Sequence, residues 1–373
     1  MSKRANGEGT ISQRSSDKRW IGQITLTIED GKQVRKTVSD KTQSGCKKKL
    51  DALKLQFSNK PSIQPKKMTF VQYLRETWLP QKANLEKLKP STIHTHERRI
   101  KFHIEPFFKK TEIQQITVQT LNSFYTVLVG KIAAHTVHKV HNIINNSLKF
   151  AVRDGLITHN PATNALLPKF TVKKGSAISS DDIKKLLEAA KVYQEKPTTK
   201  SKNVYPLITL AMTTGMRRGE LAALQWENVD LDNNQIHIKH SIMEISGKCY
   251  LDTTKNESSI RTIHISPTMT DILKAHKVNA TGKYVFPSLR DPNKSVMPSR
   301  INRFFYNVLK LSSINCKFHS LRHTHITQLL EGGVNLKTIQ ERVGHTQIST
   351  TMIYCHPDKA KDQEAASMFE KFM

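Results

Sequence analysis

The stretch "KFHSLRHTHITQLLEGG" sets His319 and Arg322 three positions apart, on one face of a helix whose apolar stripe runs through Leu321, Ile326, Leu329 and Leu330. Two donating groups on one ridge suit a phosphate. His319 and His323 also have the i, i+4 spacing of a zinc-protease helix, but that motif needs glutamate where Ser320 stands and no third ligand is evident, so zinc is rejected. A second arginine, Arg217 in "TTGMRRGEL", lies three residues before Glu220 on one face of an otherwise apolar helix. Burying a lone guanidinium is costly, so Arg217 is paired or used; taken alone, a structural Arg–Glu pair is the favoured reading. In "VGHTQISTTMIYCHP" a glycine turn presents His345, Thr346 can cap a short helix, and Pro357 closes it soon after Tyr354. By itself Tyr354 reads as an ordinary half-buried aromatic, and Lys255, at the tip of a hairpin in "DTTKNESSIR", as a bland loop lysine.

The elements that must hold these residues are mixed. "SSDDIKKLLEAAKVY" predicts a capped helix and "YPLITLAMTTGMRRGELAALQW" a largely buried one. "QIHIKHSIM", "KCYLDT" and "IRTIHIS" predict short strands, with helices returning from about Thr268. Upstream, "TFVQYLRETWLPQ", a helix capped by Ser91, and the amphipathic "AHTVHKVHNIINNSLKFAVRDG", stopped by Gly155, make an all-helical stretch ending in "HNPATNALLPK". Its His94, His96, His103, His135, His138 and His141 sit among lysines and arginines with few carboxylates, so helix-surface or phosphate-contacting roles fit better than metal binding.

The first 67 residues carry 16 lysines and arginines against 6 acidic residues, a dedicated basic module. In "RWIGQITLTI" Trp20, Ile24, Leu26 and Ile28 alternate with Gln23, Thr25 and Thr27, and "EDGK" supplies a hairpin turn before "QVRKTV". A helix from about Ser44 to Phe57 would cover the apolar face and leave a polar, basic sheet face exposed, of a kind that can enter a major groove or simply be solvated. "SNKPSIQPKKM" then reads as a linker.

The whole chain has 59 lysines and arginines against 31 acidic residues, a formal net charge of +28. So one-sided a balance points to a polyanionic partner, with nucleic acid first. Four cysteines, Cys46, Cys249, Cys316 and Cys355, show no Cys-x-x-Cys pair, which argues against a zinc ribbon or disulfide framework and fits a reducing cytoplasm. No apolar run approaches a membrane span, and "MSKRANGEGT" lacks the apolar segment of a signal peptide.

The order Arg217, Lys255, His319-x-x-Arg322, His345, Tyr354 resembles the tyrosine recombinase family, with Glu220 in the family's Arg-x-x-Glu box and Lys255 in its β-hairpin. "LQWENVD" after the first arginine, "VFPS" before the second, and the helical module ending in "NPA" extend the resemblance over essentially the whole chain. It implies a multidomain α+β architecture. An arm-type DNA-binding domain (1–60) of small β-sheet plus helix and a linker (61–67) would lead to a helical core-binding domain (68–165). A second linker (166–175) would lead to a mainly-α catalytic domain with a small antiparallel sheet (176–373).

The implied activity is that of a phage or conjugative-transposon integrase: metal-free and cofactor-free breakage and rejoining of DNA at attachment sites through a 3′-phosphotyrosyl intermediate. Arg217, Arg322, His345 and His319 would serve the non-bridging oxygens, Tyr354 would attack, and Lys255 would protonate the leaving oxygen. Arg14, Arg19, Gln23, Thr25, Thr27, Arg35, Arg98, Arg99 and Lys139 are candidate DNA contacts. The implied partners are duplex DNA at core and arm sites, three further copies in a homotetramer, an excisionase and a host DNA-bending protein, in the bacterial cytoplasm. The alternatives are a resolving recombinase and a non-catalytic DNA-binding regulator on the same fold.

Overall fold

In the computed structural model the described residues are 9–27, 33–58, 68–171, 177–196, 203–253 and 260–352. The chain divides into two units, Met1–Thr171 and Val172–Met373. Among the described residues no helix is long and apolar enough to cross a membrane.

The first unit begins with an antiparallel sheet, β1 (Thr10–Gln13), β2 (Trp20–Thr27) and β3 (Gln33–Asp40), with β2 in the centre. Strand pairing sets Gln23 opposite Thr10 and Thr37, and Thr25 opposite Arg35, so these share one face. The other face carries Ile24 and packs under the helix Gln43–Ser58, whose Cys46 and Leu50 are buried. The alternation in "RWIGQITLTI" thus does what period-two patterning requires. β1 was not foreseen: four residues with Ile11 as the only large apolar side chain show no alternation to read. The "EDGK" turn and most of the "SNKPSIQPKKM" linker lie outside the described residues.

The helical part of this unit buries Phe70, Tyr73, Leu74, Trp78, Ile100, Ile104, Phe108 and Phe124 in one core. The helix Pro90–Arg99 is not capped by Ser91. Pro90 takes its first turn, after extended Lys89, because proline's fixed φ suits a position whose N–H would be unpaired anyway. The helix Ala134–Arg153 ends two residues before Gly155. His141 is a core residue rather than a surface one, its Nδ1 2.9 Å from the Tyr125 hydroxyl. His138 pairs with the Pro168 carbonyl at 2.8 Å, and His96 stands edge-on to the Trp78 ring.

In the second unit the helix Val204–Thr214 is almost wholly buried, with Ser180–Glu195, capped by the Ser179 hydroxyl, packed beside it. The apolar run that reads as one helix is two. Gly215 ends the first at φ +64° and Arg218–Ala223 forms a second, because the left-handed residue turns the chain away from its axis. The strands form a three-stranded sheet, β4 (Val229–Asp230), β5 (Gln235–Ile238) and β8 (Arg261–His264), ordered β4-β5-β8, and a hairpin of β6 (His240–Ile245) with β7 (Lys248–Thr253). β7 therefore pairs with β6 and β8 with β5, so the described strands flanking Lys255 are not each other's partners, as a simple hairpin carrying it at the tip would require. The helices Pro267–Lys277, Pro298–Ser312, Phe318–Glu331, Leu336–Val343 and Ile348–Met352 follow.

Candidate active site

The site is built on two left-handed glycines and the carbonyls around them. After Gly215, Arg217 is extended (φ −70°, ψ 150°) and caps the next helix, while Glu220 in its first turn reaches back. The Arg217 N–H donates to Glu220 Oε2 at 2.9 Å and its Nη1 to Oε1 at 2.8 Å. The expected Arg–Glu pair is present, as a cap rather than as two residues along one helix face. Glu220 is buried and takes a second guanidinium: Arg261 Nη1 donates to Oε1 at 3.1 Å and Nη2 to Oε2 at 2.8 Å. Burial alone would raise the Glu220 carboxyl. The Arg261 hydrogen bonds and charge, with the Arg217 charge, outweigh it and hold the group below the usual carboxylate range.

Arg322 is only 2% exposed on the Phe318–Glu331 helix, donating from Nη1 to the Gly215 carbonyl at 2.8 Å and from Nη2 to the Val343 carbonyl at 2.6 Å. Arg217 Nη2 donates to the Gly344 carbonyl at 2.8 Å, and Arg261 Nε to the Arg342 carbonyl at 2.8 Å. Three consecutive carbonyls where the Leu336–Val343 helix ends thus each accept from a different arginine. A helix C-terminus offers such unpaired carbonyls and favours positive charge. Gly344 (φ +68°) makes the turn, and a Cβ there would stand 3.1 Å from Arg261 Nη1.

The same turn delivers His345, whose Nδ1 lies 2.9 Å from Thr351 Oγ1 while its carbonyl accepts from Gln340 Nε2 at 2.9 Å. Desolvation, then the charges of Arg322, Arg217, His319 and Arg261, lower His345 to about 4. His319 keeps a solvent-facing side, and its ring meets that of His323 edge-on at 4.6 Å. Partial desolvation, followed by the charges of His323, Arg322 and Arg217, lowers it also to about 4. Arg217, Glu220, His319, Arg322 and His345 are therefore brought together, with both histidines neutral near pH 7. In the tautomer whose Nδ1 accepts from the Thr351 hydroxyl, Nε2–H is left to donate.

Four participants were missed in the sequence: Arg261, His325, Arg342 and Thr351. His325 is buried against Gly215, where a Cβ would sit 2.7 Å from its Cδ2. Its Nε2 accepts from Arg342 Nε at 3.2 Å, and Arg342 Nη2 donates to the Thr213 carbonyl at 3.2 Å. Burial, with the Arg342 charge, lowers His325 from 6.5 to about 3. Below about pH 6.5 the unfolded chain protonates this histidine while the folded one does not. Its contribution to stability is thus complete above that pH and lost as pH falls toward the folded value, at about 1.4 kcal/mol per pH unit. The thermal midpoint is expected to fall on acidification from about pH 7 to about pH 5, and His325→Gln is expected to flatten part of that slope. A parallel profile in the variant would refute the assignment.

Lys255 and Tyr354 lie outside the described residues; β7 ends at Thr253, β8 begins at Arg261, and the Ile348–Met352 helix ends two residues before Tyr354. Of the candidate DNA contacts, Arg14 is exposed and pairs with Asp17 at 3.3 Å, Arg19, Thr25 and Arg35 are exposed, and Gln23 is half-buried. Thr27 closes β2 opposite Gln33. Arg98 is exposed beside the Phe102 ring, Arg99 is half-buried with its guanidinium lowered by desolvation, and Lys139 is exposed on the Ala134–Arg153 helix.

Residues 176–361 match the Phage integrase family, and residues 69–129 match the Phage integrase, N-terminal SAM-like domain. A tyrosine recombinase XerC-like protein of Caldanaerobacter subterraneus is 27% identical over 89% of this chain and 91% of its own. The integrase of Staphylococcus phage L54a is 29% identical over 87% of this chain and 98% of its own. Among solved structures, the Tn1549 transposon integrase in complex with a circular intermediate DNA superposes with a TM-score of 0.69 at 18% identity, over 82% of this chain and all of that one. That last likeness is one of fold.

Proposed function

Because the chain belongs to the phage integrase family of tyrosine recombinases, we propose that it is the integrase of a mobile element, cutting and rejoining DNA strands at attachment sites. The observation that carries the reading is the convergence of Arg217, Arg322 and His345 on the Gly344 turn, with His319 close enough for its charge to act on His345 and Glu220 holding Arg217. Two permanently charged, planar guanidinium forks suit the charge that builds on the non-bridging oxygens of a five-coordinate phosphorus. Each preorganised donor of this kind is worth roughly 2.7–4 kcal/mol in a transition state.

Tyr354 Oη attacks the phosphorus, the new P–O bond forms as the bond to the 5′-oxygen breaks, and Lys255 gives that oxygen its proton. The phenol proton passes to a base, for which His319 is a candidate. At about 4 it is a weak base in the free chain. A bound phosphate offsets the flanking arginine charges and raises it toward a useful value. The phosphotyrosyl bond conserves the energy of the phosphodiester, so a 5′-hydroxyl from another strand can reverse the step and complete an exchange. Two duplexes need four such cleavages, hence four copies in the assembly. An excisionase and a host DNA-bending protein would set direction.

In this reading residues 1–60 read arm sites, 68–165 embrace core DNA and 176–373 carry the chemistry. The sheet of β1–β3 ahead of the helical module favours an integrase over a resolving recombinase, which usually lacks such a module. Its polar face, with Gln23, Thr25 and Arg35, suits a groove.

The test is to mix the protein with two duplexes carrying the junctions of the element and its flanking DNA. Recombinant products and a detergent-stable covalent adduct are expected; specific binding without either would favour the regulator. With roughly 6–10 phosphate contacts, affinity for those duplexes should fall about 10³–10⁵-fold between 50 and 200 mM salt. A titration that hardly moves with salt would contradict the phosphate-clamping role.

A further inference from the structure

The family motif leaves Arg261 without a role, yet its side chain is only 6% exposed and every nitrogen of its guanidinium is engaged. Two of its nitrogens hold both oxygens of Glu220, the carboxylate that orients Arg217. The third donates to the Arg342 carbonyl, at the helix end whose next two carbonyls are held by Arg322 and Arg217. Its guanidinium also lies under Gly344, immediately before His345. The residue opens β8, the first described strand after the segment holding Lys255.

We propose that Arg261 is a positioning residue that sets the spacing between the Arg217 guanidinium and the His345 imidazole, and so their fit to the non-bridging oxygens of the scissile phosphate. The proposal rests on the recombinase reading above. The geometry explains why the residue must be arginine. A planar fork can satisfy a bidentate carboxylate along one edge while Nε points elsewhere, and a single ammonium cannot serve both acceptors in fixed directions. Losing that tie leaves Glu220 paired with Arg217 but frees the turn to shift, and a displacement of about 1 Å at a reacting centre can cost about 100-fold.

The experiment uses full-length R261K and R261Q beside the unaltered chain. Thermal unfolding, binding to nicked duplexes bearing the element junction, and single-turnover cleavage of those duplexes are measured. The expected result is for at least one variant, though melting lower, to remain folded at the assay temperature and to bind within about threefold of the unaltered chain, while cleaving about 100-fold more slowly. The same duplex with a methylphosphonate at the scissile position lacks the charge that the clamp neutralises. On it the deficit should shrink to less than about tenfold, a narrowing that a purely structural role would not produce.

Cleavage by the folded variant within about threefold of the unaltered chain overturns the proposal. So does a deficit undiminished on the methylphosphonate, or a loss of folding and binding in both variants that parallels the loss of cleavage. Absence of any adduct with the unaltered chain is a different failure, that of the recombinase reading itself.

Discussion

Tyr354→Phe is expected to abolish the covalent protein–DNA adduct and recombination, by a factor on the order of 10⁴ or more, while leaving binding to attachment-site DNA within about twofold. The asymmetry follows from what is removed. Only the hydroxyl is removed, and with it the atom proposed to form the bond to phosphorus. Neighbouring donors cannot compensate, because a stabilised transition state still needs a nucleophile. The measurement is a denaturing gel of nicked, labelled duplex with each protein. Undiminished adduct with the variant would move the nucleophile elsewhere and overturn the proposed chemistry.

The second large effect is expected at Arg322. Arg322→Lys keeps a positive charge but loses the fork that spans the Gly215 and Val343 carbonyls. Two consequences should separate in the data. Transition-state stabilisation falls by roughly 2.7–4 kcal/mol, a slowing of about 10²–10³-fold in single-turnover cleavage. The folded state also loses a buried tie, at about 1–3 kcal/mol for a carbonyl left unsatisfied, visible as a lower thermal midpoint. Arg217 is half exposed and anchored mainly through Glu220, so Arg217→Lys should show the kinetic loss with a smaller thermal one. Cleavage by Arg322→Lys within tenfold of the unaltered chain would remove that residue from the phosphate clamp.

Much of this site could be read from the chain alone because its members sit at fixed short spacings: Arg217 with Glu220, His319 with Arg322, His345 after a glycine. Helix periodicity puts His319 and Arg322 on one face, while a helix start brings Glu220 back to its cap residue Arg217. The alternation of β2 and the Ser179 cap are local in the same way. What escaped was not local. Arg261 finds Glu220 forty-one residues before it and the Arg342 carbonyl eighty-one residues after it. A backbone carbonyl, moreover, has no signature in sequence. His325 was passed over among the histidines of "HSLRHTH", since only its packing against Gly215 distinguishes it. The break at Gly215 was hidden because the apolar run continues on both sides of it, and periodicity alone cannot see a reversal of φ.

The sheet face bearing Gln23, Thr25 and Arg35 has a consequence for how such a protein diversifies. Those side chains point away from the Gln43–Ser58 helix, and the buried Ile24, Cys46 and Leu50 hold the module together without them. Substitutions there should cost the fold no more than about 0.5 kcal/mol. The ring of arginines around the Gly344 turn has no such freedom, since altering one member loosens the others. If this face reads the element's address, as proposed above, an element that moves between genomes can redraft it one side chain at a time while inheriting its chemistry unchanged.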